Sequence, residues 1–273
     1  MPIFVNQKIV ENVLFSGGEC HVKLSSIDIV EKTNILAQLH NSNDIMCLLL
    51  TVDAVRRINA QTQIDLTIPY FPYARQDRVC NEGEALSVKV MADLINGLAC
   101  ARVTVFDAHS DVTPALLNNC KSISLGEMVV QSPLMSFISK HKLTLVSPDA
   151  GAEKKVRTAA KMLSKEGILV DVLCATKVRD TLTGHILETH IQGDFCGRNY
   201  ILLDDICDGG RTFIELAQVL RSQGAADVYL YVTHGIFSQG LEPLKSYFKH
   251  VFCHHTMLSQ SQIDPDFLTV HSC

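Results

Sequence analysis

Seven short and nearly continuous apolar runs are the feature that most restricts the fold of this chain. In chain order they are IMCLLL (45–50), IDLTIPY (64–70), ARVTVFD (101–107), KLTLVSPD (142–149), GILVDVLC (167–174), YILLDD (200–205) and DVYLYVTH (227–234). Strands that are covered on both faces read in this way, whereas half-exposed strands alternate apolar and polar residues. We therefore predict a buried β-strand at each of the seven runs.

Helix-like stretches lie between these runs. Residues 86–98 and 212–223 carry apolar side chains at helical spacing, and Gly224 follows the second stretch as a stop signal. The apolar face of the second stretch consists of Phe213, Leu216, Ala217 and Leu220. Strands that alternate with helices indicate parallel sheets with right-handed crossovers, so the predicted fold class is α/β. The 273 residues allow two modest domains, and we place the boundary near Gly126.

Composition excludes several classes of protein. The net charge of −5 does not suit a general binder of nucleic acid or of membrane surfaces. No run approaches the ~18 apolar residues of a transmembrane helix, and the N terminus lacks the pattern of a signal peptide. The ten cysteines are scattered without a C-x-x-C pair, which is typical of free thiols in a reducing compartment. We expect a soluble cytoplasmic protein.

Polar residues follow at least four of the predicted strands. The clusters are FDAHSD, VSPDAG, LLDDICDGG and VTHG. Ligands of open α/β sheets bind outside the carboxyl ends of the strands. The sequence therefore predicts a binding site at the carboxyl ends of these strands.

The stretch ILLDDICDGGRTF (201–213) carries the strongest signal. Asp204, Asp205 and Asp208 place three negative charges within five residues, and a divalent metal or the hydroxyl groups of a sugar would compensate them. Gly209 and Gly210 permit positive φ and leave backbone amides and a helix N terminus facing an anion. Acids for hydroxyl groups and amides for a phosphate describe a sugar-phosphate site. The alternative is that the acids are ordinary helix caps.

This stretch resembles the phosphoribosyl-pyrophosphate loop of type I phosphoribosyltransferases and of ribose-phosphate pyrophosphokinases. PYFPYARQDR (69–78) is similar to the ATP-site signature of the pyrophosphokinases, which the transferases lack. Further motifs of that family follow the same order here. They are FSGGE (15–19), FDAHSD (106–111), VSPDAG (146–151), KVR (177–179) and THGIFS (233–238). The resemblance implies two similar phosphoribosyltransferase-like, Rossmann-like domains, an ATP-binding one at 1–126 and a ribose-phosphate-binding one at 127–273.

The resemblance also implies an activity and its residues. The family transfers the β,γ-diphosphate of ATP to the 1-hydroxyl of ribose 5-phosphate with Mg²⁺. The implied ATP-binding residues are Phe15, Glu19, Arg75, Gln76 and His109, and the implied metal ligands are His109 and Asp149. The implied ribose-phosphate residues are Asp204, Asp205, Asp208, Gly209, Gly210, Arg211 and Thr212. Lys177 and Arg179 would act in a catalytic lid. Because the FSGGE-like loop of the family often reaches ATP in a neighbouring subunit, a homodimer or larger homo-oligomer is expected.

The residues by themselves leave other interpretations open. Arg75 could form a surface salt bridge, Phe15 could belong to the core, and Lys177 and Arg179 could be solvated charges of an exposed hairpin. His109 could be structural.

Four departures from the family pattern matter. The segment before FSGGE is short, and the chain ends soon after FLTV, where the family continues into a helix of its regulatory site. Gly17 replaces an Asn, and Arg211 replaces a Gly of the phosphate loop. Arg211 either points to solvent or favours a more negative acceptor such as ADP-ribose. An ADP-ribose pyrophosphokinase and a non-catalytic regulatory subunit are therefore the alternative functions.

Overall fold

The computed structural model describes residues 3–25, 27–179, 186–191, 195 and 197–271, with backbone alone at 177–179 and 186–190. The chain forms two compact units, Met1–Ile123 and Ser124–Cys273. This division lies three residues before the boundary placed near Gly126 from the sequence, because Gly126 lies within a helix that Ser124 caps.

The N-terminal unit contains a mixed six-stranded sheet and a separate hairpin. Its strands are β1 (Ile3–Val5), β2 (Lys8–Ile9), β3 (Glu11–Leu14), β4 (Cys20–Lys23), β5 (Lys32–Ala37), β6 (Gln63–Ile68), β7 (Arg102–Phe106) and β8 (Cys120–Ile123). Its helices are α1 (Ser42–Ile58), α2 (Ser87–Gly97) and α3 (Val112–Leu116). The sheet order is β2-β1-β5-β6-β7-β8. Strands β5 to β8 are parallel, β1 is antiparallel to both of its neighbours, and β3 and β4 form the hairpin.

The predicted strand at 45–50 is wrong, because these residues lie in α1. The helix begins with a capping box, in which Asp44 N–H donates to Asn41 Oδ1 at 3.1 Å and Asn41 N–H donates to Asp44 Oδ2 at 3.2 Å. Its buried residues Cys47, Leu48, Val52 and Val55 recur at helical spacing. A short apolar run fits a buried helix as well as a strand, and the cap Asn41-x-x-Asp44 was the signal that distinguishes them.

The C-terminal unit is built on an all-parallel sheet. Its strands are β9 (Thr144–Ser147), β10 (Val172–Cys174), β11 (Thr176–Arg179), β12 (Ile186–His190), β13 (Tyr200–Cys207), β14 (Val228–Gly235), β15 (Val251–Thr256) and β16 (Leu268–Val270). Its helices are α4 (Leu125–Val130), α5 (Leu134–His141), α6 (Ala150–Lys165), α7 (Arg211–Ser222) and α8 (Glu242–Lys245), with a 3₁₀ turn at Gln260–Gln262. The sheet order is β10-β9-β13-β14-β15-β16, and β11 and β12 form a separate antiparallel ribbon.

Strand β13 shows why the apolar runs are continuous. Its Tyr200 and Leu202 pack into one core with helix α7, while Ile201 and Leu203 pack into a second core with α4, α5 and α6. All four side chains are fully buried. Burying each such side chain stabilises the fold by roughly 1.5–3 kcal/mol. The other six predicted strands and both predicted helices are present, and the predicted α/β class with mostly parallel sheets is confirmed. The run at 167–174 is not the buried strand expected, because β10 is a three-residue edge strand that is half-buried and Leu169 before it is exposed.

No helix among the described residues is both long enough and apolar enough to cross a bilayer.

Gly235, the last residue of β14, is expected to be intolerant of any side chain. A Cβ at this position would lie 2.0 Å from Cε2 of the buried Phe237, so the ring would have to leave its site. We expect Gly235→Ala to lower the free energy of unfolding by about 1–3 kcal/mol. Gly17→Ala is the control, because its Cβ would meet no atom within 4 Å. Urea unfolding of both variants measures the difference, and equal stabilities would contradict the close packing of Phe237.

Candidate functional site

Three strands bring their polar ends to one edge of the C-terminal sheet. Strands β9, β13 and β14 are adjacent and parallel, with Val146 paired with Leu202 and Asp204 paired with Val232. The carboxyl ends of parallel strands lie at the same edge, so Asp149 after β9 and Asp204 on β13 come close enough to interact electrostatically. The predicted acidic residues are therefore brought together at this edge.

Asp204 and Asp205 form a closely spaced carboxylate pair. The backbone N–H of Asp205 donates to Asp204 Oδ1 at 2.8 Å, and Asp205 is 6% exposed. Burial of the Asp204 carboxyl group, followed by the negative charges of Asp205 and Asp149, raises the pKa of Asp204 well above its usual range. The pair therefore carries unfavourable negative charge that a ligand with hydroxyl donors or a cation would stabilise.

Lys155 supplies a positive charge beside the pair. Its Nζ lies 3.5 Å from Asp205 Oδ2, and α6 carries it to the edge of the sheet. Lys155 neutralises part of the negative charge at this strand end, and the pKa of Asp204 is nevertheless raised. Lys155 lies outside the sequence motifs that predicted the site. A lysine in the helix that follows VSPDAG was the available signal.

Asp149 begins helix α6 as its N-cap. Its Oδ1 accepts from the Ala152 N–H at 3.1 Å, and its carbonyl oxygen accepts from Ser147 Oγ at 2.7 Å. These bonds fix the carboxylate toward the strand ends, where it acts on Asp204.

The glycine loop after β13 leads into the N terminus of helix α7. Gly210 has φ +78°, and a Cβ there would lie 2.9 Å from Leu244 Cδ2, so only glycine fits without movement. Gly210 is also the N-cap and has no side chain that could bond the first-turn amides. The N terminus of a helix with such amides attracts anions. The positive φ predicted for both glycines occurs at Gly210 and not at Gly209.

Backbone hydrogen bonds hold this loop to the segment after β14. The Cys207 carbonyl oxygen accepts from Ile236 N–H at 2.8 Å and from Phe237 N–H at 3.1 Å, and the Asp208 carbonyl oxygen accepts from Ser238 N–H at 3.2 Å. The motif THGIFS thus supports the glycine loop through its backbone.

Arg211 points away from this cradle along the surface of α7. Its side chain is 87% exposed, and its Nε donates to Glu215 Oε1 at 2.8 Å. Of the two interpretations considered from the sequence, this is the one in which Arg211 points to solvent. Thr212 follows in the first turn of the helix.

In the N-terminal unit, Arg75 and Gln76 lie on the turn after β6 and are exposed. The buried side chains of Phe71 and Ala74 anchor this turn in the core. The Gln76 N–H donates to the Tyr73 carbonyl oxygen at 2.9 Å, and Tyr73 has φ +63°. The backbone thus places both predicted ATP-binding side chains on the surface.

His109 lies after the end of β7. Asp107, two residues earlier, is buried with φ +37°, and its N–H donates to the Ile123 carbonyl oxygen at 2.7 Å. His109 itself is exposed. This exposure agrees with a ligand-binding role better than with a structural one in the core.

Phe15 and Glu19 close the hairpin turn between β3 and β4. The Phe15 N–H donates to the Glu19 carbonyl oxygen at 2.8 Å, and the Gly18 N–H donates to the Phe15 carbonyl oxygen at 2.8 Å. Phe15 is 53% exposed, so the alternative that it belongs to the core is excluded.

Lys177 and Arg179 lie on the β11–β12 ribbon. In the backbone register Lys177 pairs with Thr189 and Arg179 with Ile186, with an irregularity between Val178 and Arg179. Their side chains, and residues 180–185, lie outside the described residues. Their catalytic role stays a prediction.

The predicted metal ligands lie in different units, His109 in the N-terminal one and Asp149 in the C-terminal one. Within the described residues, no group of three or more His, Cys, Asp or Glu side chains is arranged to hold a metal. Mg²⁺ in phosphate-transfer sites usually binds one or two carboxylates, several waters and the phosphates of the substrate. The carboxylates at the strand ends fit that mode of binding, and the pairing of His109 with Asp149 stays a prediction.

Two family models match the chain. Residues 5–98 match the N-terminal domain of ribose phosphate pyrophosphokinase, and residues 170–261 match the phosphoribosyl synthetase-associated domain. Together they include the turn with Arg75, the ribbon with Lys177 and the acidic strand end with Asp204.

Curated relatives carry the name ribose-phosphate pyrophosphokinase. The protein of Mycoplasmopsis pulmonis is 30% identical over 239 residues, which cover 85% of this chain and 71% of the relative. That of Hyphomonas neptunium is 33% identical over 218 residues, covering 80% and 67%. That of Maricaulis maris is 32% identical over 231 residues, covering 82% and 71%.

Among solved structures, phosphoribosylpyrophosphate synthetase from Mycobacterium smegmatis is similar in fold. It aligns with a TM-score of 0.76 at 24% identity over 96% of this chain and 85% of that one.

Proposed function

Since this chain is a diphosphotransferase of the ribose-phosphate pyrophosphokinase family, we propose that it transfers the β,γ-diphosphate of ATP to the 1-hydroxyl of ribose 5-phosphate. AMP is the second product. Such a transfer needs little covalent chemistry from the protein, because positioning of the substrates and neutralisation of phosphate charge determine the rate.

The carboxylate pair Asp204–Asp205 is the observation that carries the proposal. Burial and the repulsion from Asp205 raise the pKa of Asp204, so ionising this carboxyl group costs free energy in the free protein. The hydroxyl groups of ribose are hydrogen-bond donors, and bonds to ionised acceptors contribute about 1.5–3 kcal/mol each. Ribose hydroxyls at this edge would therefore stabilise the ionised form of Asp204.

The cradle from Gly209 to Thr212 is proposed to hold the 5-phosphate. The positive φ of Gly210 turns the backbone there, and the amides of the first turn of α7 face outward at the helix N terminus. Because its side chain bonds Glu215, Arg211 would contribute its backbone N–H. Asp208 would stand between the phosphate and the ribose.

For ATP, we propose that Arg75 and Gln76 bind the nucleotide and that Phe15 and Glu19 contact the adenine. The supporting observation is that all four side chains are exposed on turns whose backbone is fixed by hydrogen bonds or buried neighbours. His109 and Asp149 would hold Mg²⁺, which neutralises phosphate charge. Lys177 and Arg179 would stabilise charge on the transferred group.

Two further proposals concern the assembly and its compartment. We propose that the exposed hairpin turn at Phe15–Glu19 reaches the ATP of a neighbouring copy in a homodimer or larger assembly. The eight cysteines of the described residues are reduced thiols, which suits the cytoplasm.

Product analysis of the purified chain tests the proposed function. With Mg²⁺-ATP and ribose 5-phosphate we expect AMP and a product heavier than the acceptor by one diphosphate group, detected by chromatography and mass spectrometry. Omitting ribose 5-phosphate should abolish AMP release. Absence of AMP with every acceptor would support a non-catalytic subunit, and AMP formed only with ADP-ribose would overturn the proposed acceptor.

The variant Arg211→Ala tests whether the Arg211 side chain contacts the acceptor. Since the Arg211 side chain is exposed and bonds Glu215, we expect its removal to change kcat/KM for ribose 5-phosphate by less than about threefold, a surface effect within roughly 0.5 kcal/mol. Glu215→Ala is the matched control for loss of the ion pair alone. A much larger loss in Arg211→Ala than in Glu215→Ala would show that the guanidinium group contacts the acceptor.

A further inference from the structure

Cys20 and Cys47 bring two thiol groups into contact where the β3–β4 hairpin packs on helix α1. Cys20 is the first residue of β4, and Cys47 lies in the second turn of α1. The side chain of Cys47 is hydrogen-bonded to that of Cys20, and both thiols are reduced. Neither residue has a place in the proposed substrate sites.

The surrounding packing keeps the two sulfur atoms together. Cys20 and Val22 point to the same face of β4, and Val22 is buried in the core to which Cys47 belongs. Cys20 Sγ also lies 3.9 Å from the carbonyl oxygen of Asn43, one helical turn before Cys47. On the other strand, the Asn12 side chain bonds Cys47. The hairpin is thus fixed to α1 around this one thiol.

The two thiols differ in access to solvent. Cys20 is partly exposed, whereas Cys47 is 4% exposed. Burial, followed by the contact with Cys20, raises the pKa of Cys47 to about 11, so Cys47 is a neutral thiol near pH 7. A dissolved oxidant therefore meets Cys20 first, and Cys47 is held in place as the resolving partner.

We propose that Cys20 and Cys47 are an oxidation site that forms a reversible disulfide with peroxides. The Cys20 sulfur attacks a peroxide oxygen, breaks the O–O bond and becomes a sulfenic acid while one water leaves. The Cys47 sulfur then attacks the Cys20 sulfur, the S–OH bond breaks, and the thiol proton leaves with the hydroxyl group as a second water. Two electrons pass from the thiols to the peroxide, and a dithiol reductant reverses the step.

The disulfide would tether the end of the hairpin that carries its turn. Leu14 pairs with Cys20 in the last position of the hairpin ladder, and the turn Phe15–Glu19 lies directly beyond it. The effect on ATP rests on the proposed function, in which Phe15 and Glu19 contact adenine. Because the disulfide tethers their turn, oxidation changes ATP binding. We expect the KM for ATP to rise by about fivefold, the lower end of common coupling between two sites.

Peptide mapping of the full chain tests the disulfide without any substrate. The reduced protein is treated with hydrogen peroxide, free thiols are alkylated, and the digest is analysed by mass spectrometry. We expect the ten alkylated thiols of the chain to fall to eight, with one linked pair of peptides that contain Cys20 and Cys47. Dithiothreitol should restore all ten. Absence of this linked pair in peroxide-treated protein would overturn the proposal.

Three variants make the result specific. Cys20→Ser and Cys47→Ala should each abolish the linked pair, so misfolding of the second variant leaves the first as a test. Cys80→Ser removes an exposed cysteine outside the pair and should leave the link intact. A link that persists in Cys20→Ser would assign the disulfide to other residues. If the link forms and the KM for ATP does not change, the disulfide stands and the adenine role of Phe15 and Glu19 fails.

Discussion

Asp204→Asn is expected to lose turnover and gain stability. An Asn oxygen still accepts from the Asp205 N–H, which donates to Asp204 at 2.8 Å, so the strand end keeps its geometry. The ionised acceptor that we propose for the ribose hydroxyls is lost, however. At about 1.5–3 kcal/mol for each charged hydrogen bond and two hydroxyls, kcat/KM for ribose 5-phosphate should fall by roughly a hundredfold or more.

The gain in stability follows from the raised pKa of Asp204. In the unfolded chain this carboxyl ionises near the ordinary value of about 3.9, and in the folded protein it keeps its proton to higher pH. Ionisation of Asp204 therefore destabilises the fold, fully so above the folded-state pKa and not at all below about pH 3.9. Asp204→Asn should raise the free energy of unfolding by about 0.5–2 kcal/mol at pH 7. The gain should shrink as the pH falls toward 4.

Asp227→Asn is the matched control for this prediction. Asp227 lies at the opposite end of the strands, where its Oδ2 accepts from Lys249 Nζ at 2.6 Å. Losing this exposed ion pair should cost at most about 1 kcal/mol and leave kcat/KM unchanged. Urea unfolding at pH 7 and pH 4.5, together with AMP release, measures both effects. A less stable but fully active Asp204→Asn protein would show that the carboxylate pair is structural.

A loss of turnover together with a gain in stability is typical of a functional site, where charge is placed to bind the ligand and lowers the stability of the fold. The sequence alone indicated this conflict, because three acids within five residues at a strand end repel one another. The sequence showed Lys155 only as a lysine after VSPDAG, because its proximity to Asp205 depends on the packing of α6 against β13. The partner of an acid is set by tertiary contacts, which one sequence does not encode locally.

The difference between local sequence pattern and tertiary contacts also explains which elements of the fold were predictable. Strands covered on both faces were predictable where the run is apolar throughout, because residues such as Leu202 and Leu203 must both be apolar to pack into separate cores. Strand β15 is also buried but was missed, because the buried His254 and His255 interrupt its apolar run. Strand β5 was missed, because only every second residue, Thr33, Ile35 and Ala37, is buried. The run in α1 was assigned to a strand because apolarity alone does not separate the two elements, although Asn41 and Asp44 marked a helix start.

Arg211 shows how far the sequence alone predicts the contacts in the candidate site. Its place in the phosphate loop was visible in the sequence, and so was Glu215 one helical turn later, at the spacing of a helical ion pair. Whether Arg211 bonds Glu215 or a ligand depends on the direction of the helix relative to the cradle. In the structure α7 directs the side chain to Glu215, so the charge that suggested a more negative acceptor is compensated within the helix.

Lys177→Ala is expected to abolish turnover while the protein still binds ATP. In the proposed reaction the ammonium group stabilises negative charge that develops on the transferred diphosphate, and this interaction strengthens only in the transition state. By analogy with single catalytic cations in phosphoryl transfer, kcat should fall by about a thousandfold or more. The affinity for ATP, measured by calorimetry, should change by less than about threefold, because Arg75 and Gln76 remain.

Two further variants distinguish catalysis from structure. Lys165→Ala removes an exposed lysine at the end of α6 and should leave kcat unchanged. Lys177→Arg keeps the positive charge but replaces the ammonium group by a planar guanidinium group. It should recover only part of the lost rate, since the two groups are not equivalent. Strand β11 contributes its backbone to the ribbon at this position through the pairing with Thr189, so a side-chain change should not unfold it. Loss of folding in Lys177→Ala, seen by circular dichroism, would instead show that the residue is structural.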